Sequence, residues 1–189
     1  MTRCGAFPGS FNPLTVGHLA VADAARSQCQ LGVVDLVVSR VALAKDAVER
    51  PRLEDRVSVL RTAAASRPWL GVRVTDDQLI ADIASGYDVV IMGADKWAQV
   101  TDPSFYGGSA AARDAALARL PVVAVAPRPP FEVPAGVVAL DVSHDASSTA
   151  VRGGRTDWMV AEAAEFDRLS GAWSDAERYD EWLRDPGVA

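Results

Sequence analysis

The chain has 189 residues, 49% of them hydrophobic and 23% charged, with a formal net charge of −6. That length suits one domain able to bury a core, and the composition is that of a soluble globular protein. The acidic balance argues against general binding to nucleic acid or to an anionic membrane, and no apolar run is long enough to span a bilayer.

The two cysteines, Cys4 and Cys29, lack metal-ligand spacing and fit packed free thiols in a reducing, cytoplasmic setting. Met1-Thr2-Arg3 leads directly into a motif, with no signal-peptide pattern. A short apolar start, Met1 to Cys4, reads as a first strand. An alanine-rich run from Leu19 to Cys29 reads as a helix. Between them lies Gly5 to His18, GAFPGSFNPLTVGH, a turn loosened by Gly5, Gly9 and Gly17 and stiffened by Pro8 and Pro13. Thr15 suits the N-cap, which places His18 in the first helical turn. Backbone N–H groups and the positive dipole end gather there, a seat for phosphate. In the pattern T-x-G-H, Gly17 lets an anion approach and His18 donates to it. Ser10 adds a hydroxyl.

Val33 to Val41 is a β-branched run and a second, buried strand. Strand–helix–strand alternation implies a parallel sheet, with ligands beyond the carboxyl ends of its strands. Lys45 follows that strand and either reaches the same mouth or is a solvated loop lysine. Pro51 to Arg67 reads as a helix with Leu53, Val57, Leu60 and Ala64 on one face, and Arg56 as a structural residue pairing with carboxylates. A third strand, Gly71 to Thr75, and a brief amphipathic helix, Asp76 to Gly86, through Leu79, Ile80 and Ile83, precede a fourth strand, Tyr87 to Met92. That strand runs into Gly93-Ala94-Asp95-Lys96-Trp97. A loop follows from Thr101 to Ser109, then a helix from Ala110 to Leu120. A fifth strand, Pro121 to Ala126, ends beside Arg128. Gly136 to Val142 is a sixth, edge-like strand.

A second cluster follows, Ala146-Ser147-Ser148-Thr149-Ala150-Val151-Arg152. Ser147 or Ser148 caps a helix start and directs Ser148 and Thr149 at phosphate. Arg152 lies on the same face with a forked donor. His144 reads as solvent-facing. The tail carries Trp158, Trp173, Trp182, Phe166 and Leu169 in two acidic helices separated near Ser170-Gly171. Packing against the sheet, or against a second copy of the chain in a homo-oligomer, accounts for these side chains.

The first cluster resembles the (H/T)xGH signature of the nucleotidyltransferase superfamily. Pro8-Gly9-Ser10-Phe11 with Thr15 is most similar to phosphopantetheine adenylyltransferases. The Gly93-Ala94-Asp95 triplet resembles that of nicotinate- and nicotinamide-mononucleotide adenylyltransferases. The second cluster is similar to the superfamily's I-S-S-T-x-(I/V)-R signature and leans the same way. Asn12 stands where an aspartate is common, and Ala146 where isoleucine is usual. The Tyr-Thr segment usual in bacterial nicotinate enzymes is not found between residues 76 and 86.

The resemblance implies an α/β fold: a Rossmann-like doubly wound parallel sheet of five to six strands with C-terminal helices. Residues 1–155 would form the nucleotidyltransferase domain, and 156–189 a helical extension packed on it. It implies transfer of AMP from ATP to the phosphate of nicotinate or nicotinamide mononucleotide, with release of pyrophosphate. Phosphopantetheine is the alternative acceptor, and a non-catalytic nucleotide-binding protein the alternative of another class. Catalysis would fall to His18, Thr15, Lys45 and Arg152. Gly9, Ser10, Phe11, Gly17, Gly93, Asp95, Trp97, Arg128, Ser147, Ser148 and Thr149 would line the nucleotide. Asp95 would take the ribose hydroxyls or else cap the next helix. Trp97 would stack on a base or pyridine ring, or else cover the core. Mg²⁺ would come with ATP, held by phosphate oxygens rather than by a protein cage.

Overall fold

A computed structural model describes residues 2–41, 50–142 and 144–184. Six parallel strands form one sheet in the order β3-β2-β1-β4-β5-β6. They are β1 Cys4–Pro8, β2 Val33–Ser39, β3 Leu70–Thr75, β4 Val89–Gly93, β5 Val122–Ala126 and β6 Val138–Ala139. Strand order reverses between β1 and β4, so the crevice for a ligand opens at the carboxyl ends of those two strands.

Strand side chains alternate between the two faces, and both faces are covered. Val89 and Ile91 enter one cluster, which also takes Ala22 and Ala25 of α1 (Val16–Gln28) and Leu60 and Ala63 of α2 (Leu53–Ala65). Val90 and Met92 enter the other, with Ala94 and Val100 of α4 (Ala94–Thr101). Ile83 of the four-residue α3 (Ile80–Ile83) joins Ala6 and Val37 on that second side. Helix α5 (Ala110–Leu117) packs there through Leu117. All-parallel sheets need such double cover, and their central strands therefore read as continuous apolar runs.

The first strand lies later than Met1 to Cys4. Gly5, Ala6 and Phe7 are themselves the buried middle of β1. A glycine-containing stretch serves there because a side chain at Gly5 would strike Leu31 and Ile91. The expected helix between Asp76 and Gly86 shrinks to α3, and the sixth strand to two residues.

Helix α6 (Ser148–Arg152) carries the second cluster. Beyond it, α7 (Ala161–Ser170) and α8 (Ala176–Arg184) fold back onto the α1–α2 side. Gly171 ends α7 at φ 74°, a left-handed cap that glycine adopts without strain. Tyr179 of α8 is fully buried in the main core. Its hydroxyl donates to Asp55 and accepts the Arg52 backbone N–H at 2.9 Å. Burial, and that bond to Asp55, push its phenol up to about 12. Arg50–Asp180 at 2.5 Å and Arg67–Glu162 at 2.8 Å complete the attachment.

Tyr179→Phe leaves the Arg52 N–H and the Asp55 carboxylate without their shared partner. It should cost about 1 kcal/mol in urea denaturation, the net worth of a hydrogen bond at a part-buried site. Leu169→Ala, at an exposed position, should stay within about 0.5 kcal/mol of the parent.

Candidate active site

The turn after β1 and the start of α1 are built around a reciprocal cap. Thr15, with extended backbone, is the N-cap of α1, and its side chain accepts the His18 N–H at 3.3 Å. In return the His18 ring takes the Thr15 backbone N–H on Nδ1 at 3.0 Å. The Thr15 hydroxyl lies 2.7 Å from the same Nδ1. A nitrogen that accepts a backbone N–H carries no proton, so the neutral ring bears its proton on Nε2. Phe7 and Phe11 flank the imidazole with centroids 6.2 and 5.2 Å away. Burial, and then the positive charge of Arg128, lower the His18 pKa to about 4. The group is a neutral Nε2–H donor at ordinary pH.

The second cluster meets this turn directly. A Cβ on Gly17 would stand 2.7 Å from the carbonyl oxygen of Ala146 and 3.1 Å from its Cβ. Only glycine lets the two backbones come this close, and a small residue at 146 is part of the fit. Ser147 caps α6, accepting the Ala150 N–H at 3.1 Å. The Ser148 hydroxyl donates to the Pro13 carbonyl at 2.7 Å. Arg152 Nη1 donates to the carbonyl of Asn12.

Around this junction lies a cavity of about 660 Å³, within the range of small-molecule sites. It opens at the carboxyl ends of β1, β2, β4 and β5 through Pro8, Val37, Gly93 and Ala126. Gly9, Ser10, Phe11, Gly17, His18, Asp95, Arg128, Ser147, Ser148, Thr149 and Arg152 all line it. Among the described residues its wall carries five Lys or Arg side chains (Arg40, Arg56, Lys96, Arg128, Arg152) and one carboxylate, Asp95. A chain of net charge −6 thus concentrates positive charge where strands β1 and β4 part.

Two expected residues stand elsewhere. Thr15 is fully buried and outside the cavity wall, and it contacts His18. Trp97 packs into the β4–α4 cluster and does not line the cavity; its indole covers the core. Lys45 lies outside the described residues. Two other expectations also change. Gly93 occupies the N-cap of α4, so Asp95 is a first-turn residue rather than a cap. The Ser148 hydroxyl proton is committed to Pro13 and not to a ligand.

Arg56 holds carbonyls, not carboxylates. It is 7% exposed and donates to Ser10 at 2.8 Å and Pro51 at 3.3 Å. Burial lowers its pKa from the ordinary arginine value. His144 is exposed, as expected, but at the cavity rim, with Nδ1 accepting the Ala146 N–H at 3.0 Å. Phe105 and Tyr106, on a short 3₁₀ turn after α4, form a further part of the wall. The loop from Thr101 to Ser109 is long and aromatic enough to cover a site, though nothing in its sequence demands that function.

Residues 6–154 match the model of the cytidylyltransferase-like family. The chain belongs to that family. Among curated relatives, a probable nicotinate-nucleotide adenylyltransferase of Gloeobacter violaceus is 35% identical over 74 residues. That match spans 39% of this chain and 36% of the relative. A phosphopantetheine adenylyltransferase of Campylobacter fetus is 32% identical over 95 residues, spanning 49% of this chain and 56% of the relative. Among solved structures, Plasmodium falciparum nicotinic acid mononucleotide adenylyltransferase complexed with NaAD superposes with a TM-score of 0.64. The superposition covers 94% of this chain and 100% of that one at 10% identity, a likeness of fold. The family match ends just after Arg152, so α7 and α8 lie beyond it.

Two measurements check this geometry. Nitrogen-15 NMR of the imidazole should show the Nε2–H tautomer throughout pH 5–8, with a midpoint near 4; a midpoint near 6.5 would mean the reciprocal cap does not hold. The unfolded chain takes up that proton near pH 6.5 and the folded chain does not. The histidine's share of stability should therefore fall as pH drops from about 6.5 towards 4. Gly17→Ala pushes a Cβ against backbone, and should destabilise by about 1–3 kcal/mol in thermal denaturation.

Proposed function

We propose that this chain transfers AMP from ATP to the phosphate of a small acceptor, with nicotinate or nicotinamide mononucleotide preferred, and releases pyrophosphate. The observation that carries this reading is the His18 Nε2–H, pinned beside Arg128 at the point where both signature segments meet a cationic cavity. A phosphate acceptor already holds a nucleophilic oxygen. Its attack on the α-phosphorus forms one P–O bond and breaks the bond to the bridging oxygen of the β-phosphate. The protein has only to align the two and spread the charge.

His18 donates to the α-phosphate and bridging oxygens. A neutral donor is suited to this task because it needs no proton uptake at working pH and stabilises charge as it develops. Arg152 and Thr149 face the β- and γ-phosphates, and Lys45 is assigned to the same group. Ser10 positions the attacking phosphate. Gly9, Phe11 and Gly17 shape the floor under the triphosphate, and Asp95 accepts from the ribose. Arg128 lies on the nucleoside side. The cavity wall fits a divalent ion carried in by the triphosphate, since Asp95 is its one described carboxylate and phosphate oxygens would be the other ligands. Mg²⁺ so bound would offset the polyphosphate charge.

The leaning to the mononucleotide acceptor rests on Gly93-Ala94-Asp95 and on Thr149. A specific observation keeps phosphopantetheine in view: the Campylobacter fetus relative matches the larger share of this chain. The test is a panel. ATP and Mg²⁺ are incubated with nicotinate mononucleotide, nicotinamide mononucleotide or phosphopantetheine, and pyrophosphate is measured. Release with one of the first two alone is expected. Release with phosphopantetheine alone reassigns the acceptor. Silence with all three, together with ATP binding, means a nucleotide-binding protein without turnover.

With the acceptor found, His18→Ala should lower kcat by about 10²–10³, the cost of one preorganised donor. Its circular dichroism spectrum should be unchanged. Near-parental pyrophosphate release from that variant would remove His18 from the chemistry.

A further inference from the structure

The extension beyond the family match reaches the phosphate-binding turn through Asn12. That side chain is 6% exposed and absent from the cavity wall. Its amide oxygen accepts the Trp173 indole N–H at 2.6 Å, and its amide nitrogen donates to the Arg50 carbonyl at 3.4 Å. Its backbone carbonyl receives Arg152. One residue therefore joins the turn, the C-terminal extension, the entry to α2 and the arginine of the second signature. Only an amide can do this: a carboxylate could accept the indole N–H but could not donate to Arg50.

Trp173 is itself held. Asp167, 7% exposed, accepts the backbone N–H groups of Trp173 at 2.6 Å and Ser174 at 3.0 Å. Phe166 meets the indole edge-on at 5.9 Å. A buried donor fixed on its own helix–turn unit imposes a position on its acceptor. Stability alone would be served by any apolar residue filling this space. An indole aimed at a single amide oxygen also fixes where residue 12 sits, and hence where its carbonyl holds Arg152.

We propose that Trp173 is a positioning residue: its N–H holds the Asn12 turn, and through it Arg152, in the geometry that grips the polyphosphate. This rests on the transferase reading above. The prediction is that Trp173→Phe, which keeps an aromatic of similar shape and loses the N–H, acts locally. Amide hydrogen exchange in residues 10–14 should speed up about tenfold or more, while exchange in β1 and β4 changes by less than about twofold. Titration with ATP–Mg²⁺ should show weakened binding, and with the acceptor identified kcat should fall more than KM rises. Asn12→Leu, which removes the acceptor of the indole N–H, should show the same local pattern.

The outcomes separate the two claims. Uniform acceleration of exchange across sheet and turn, or exchange in the turn left unchanged, overturns the positioning role. Local loosening with no loss of ATP–Mg²⁺ affinity and no change in kcat overturns the link to Arg152. A parent protein that binds no ATP–Mg²⁺ sinks the transferase reading instead, and the exchange pattern still decides whether Trp173 holds the turn.

Discussion

The contact on which this molecule depends is backbone against backbone, Gly17 against Ala146. The neighbouring bond between Ser148 and Pro13 spans 135 residues of sequence. Close approach fixes two helix starts side by side at the mouth of one sheet. The sheet itself only supplies the place: strand order reverses between β1 and β4, and the chain leaving each of those strands turns away from the other. What makes the place chemical is that both segments beside it end in cap geometry, Thr15 for one helix and Ser147 for the other. Capping satisfies the helix and, in the same act, orients the groups that face the cavity.

The histidine shows how local structure sets chemistry. In water its imidazole would be partly protonated near neutrality. Here a backbone N–H occupies Nδ1, aromatic rings surround the ring, and a guanidinium stands nearby. Burial and the guanidinium's positive charge disfavour the cation, and the bond to Nδ1 leaves that nitrogen without a proton. The result is a donor of fixed direction whose charge does not change over the working range. The positive charge of the cavity wall comes instead from the arginines around it. Donation and attraction are assigned to different side chains.

The sequence made the fold class readable because parallel strands buried on both faces leave β-branched runs, and Val33 to Ser39 and Val89 to Met92 are such runs. The two signature clusters were readable because caps, glycines and their spacing are local properties. Their meeting was expected only through resemblance, since no local pattern says that Gly17 touches Ala146. Composition misled at β1, where small residues suggested a turn and the crowded centre of the sheet demanded a strand. Trp97 shows the same limit: an indole beside a site serves stacking or core equally well on paper, and only the path of α4 decides for the core. Arg56 was read as structural, but its partners proved to be carbonyls, which leave no sequence signature.

Asn12 carries the argument furthest. As a sequence feature it is a lost charge in the turn after β1, which suggests weakened chemistry. In the structure its side chain points away from the cavity, and both halves of its amide are used. The substitution and the extension explain one another. An amide at residue 12 has a purpose only if a donor and an acceptor both reach it, and the donor comes from a segment outside the family match. The tail is fastened to the same region at further points, through Tyr179 on Asp55 and the Arg52 backbone, and through Asp180 on Arg50. All of these fall on the turn or on the entry to α2. Glu162 on Arg67 adds a tie at the far end of α2, so the tail braces the turn and both ends of the helix that follows it in the wall of the cationic cavity.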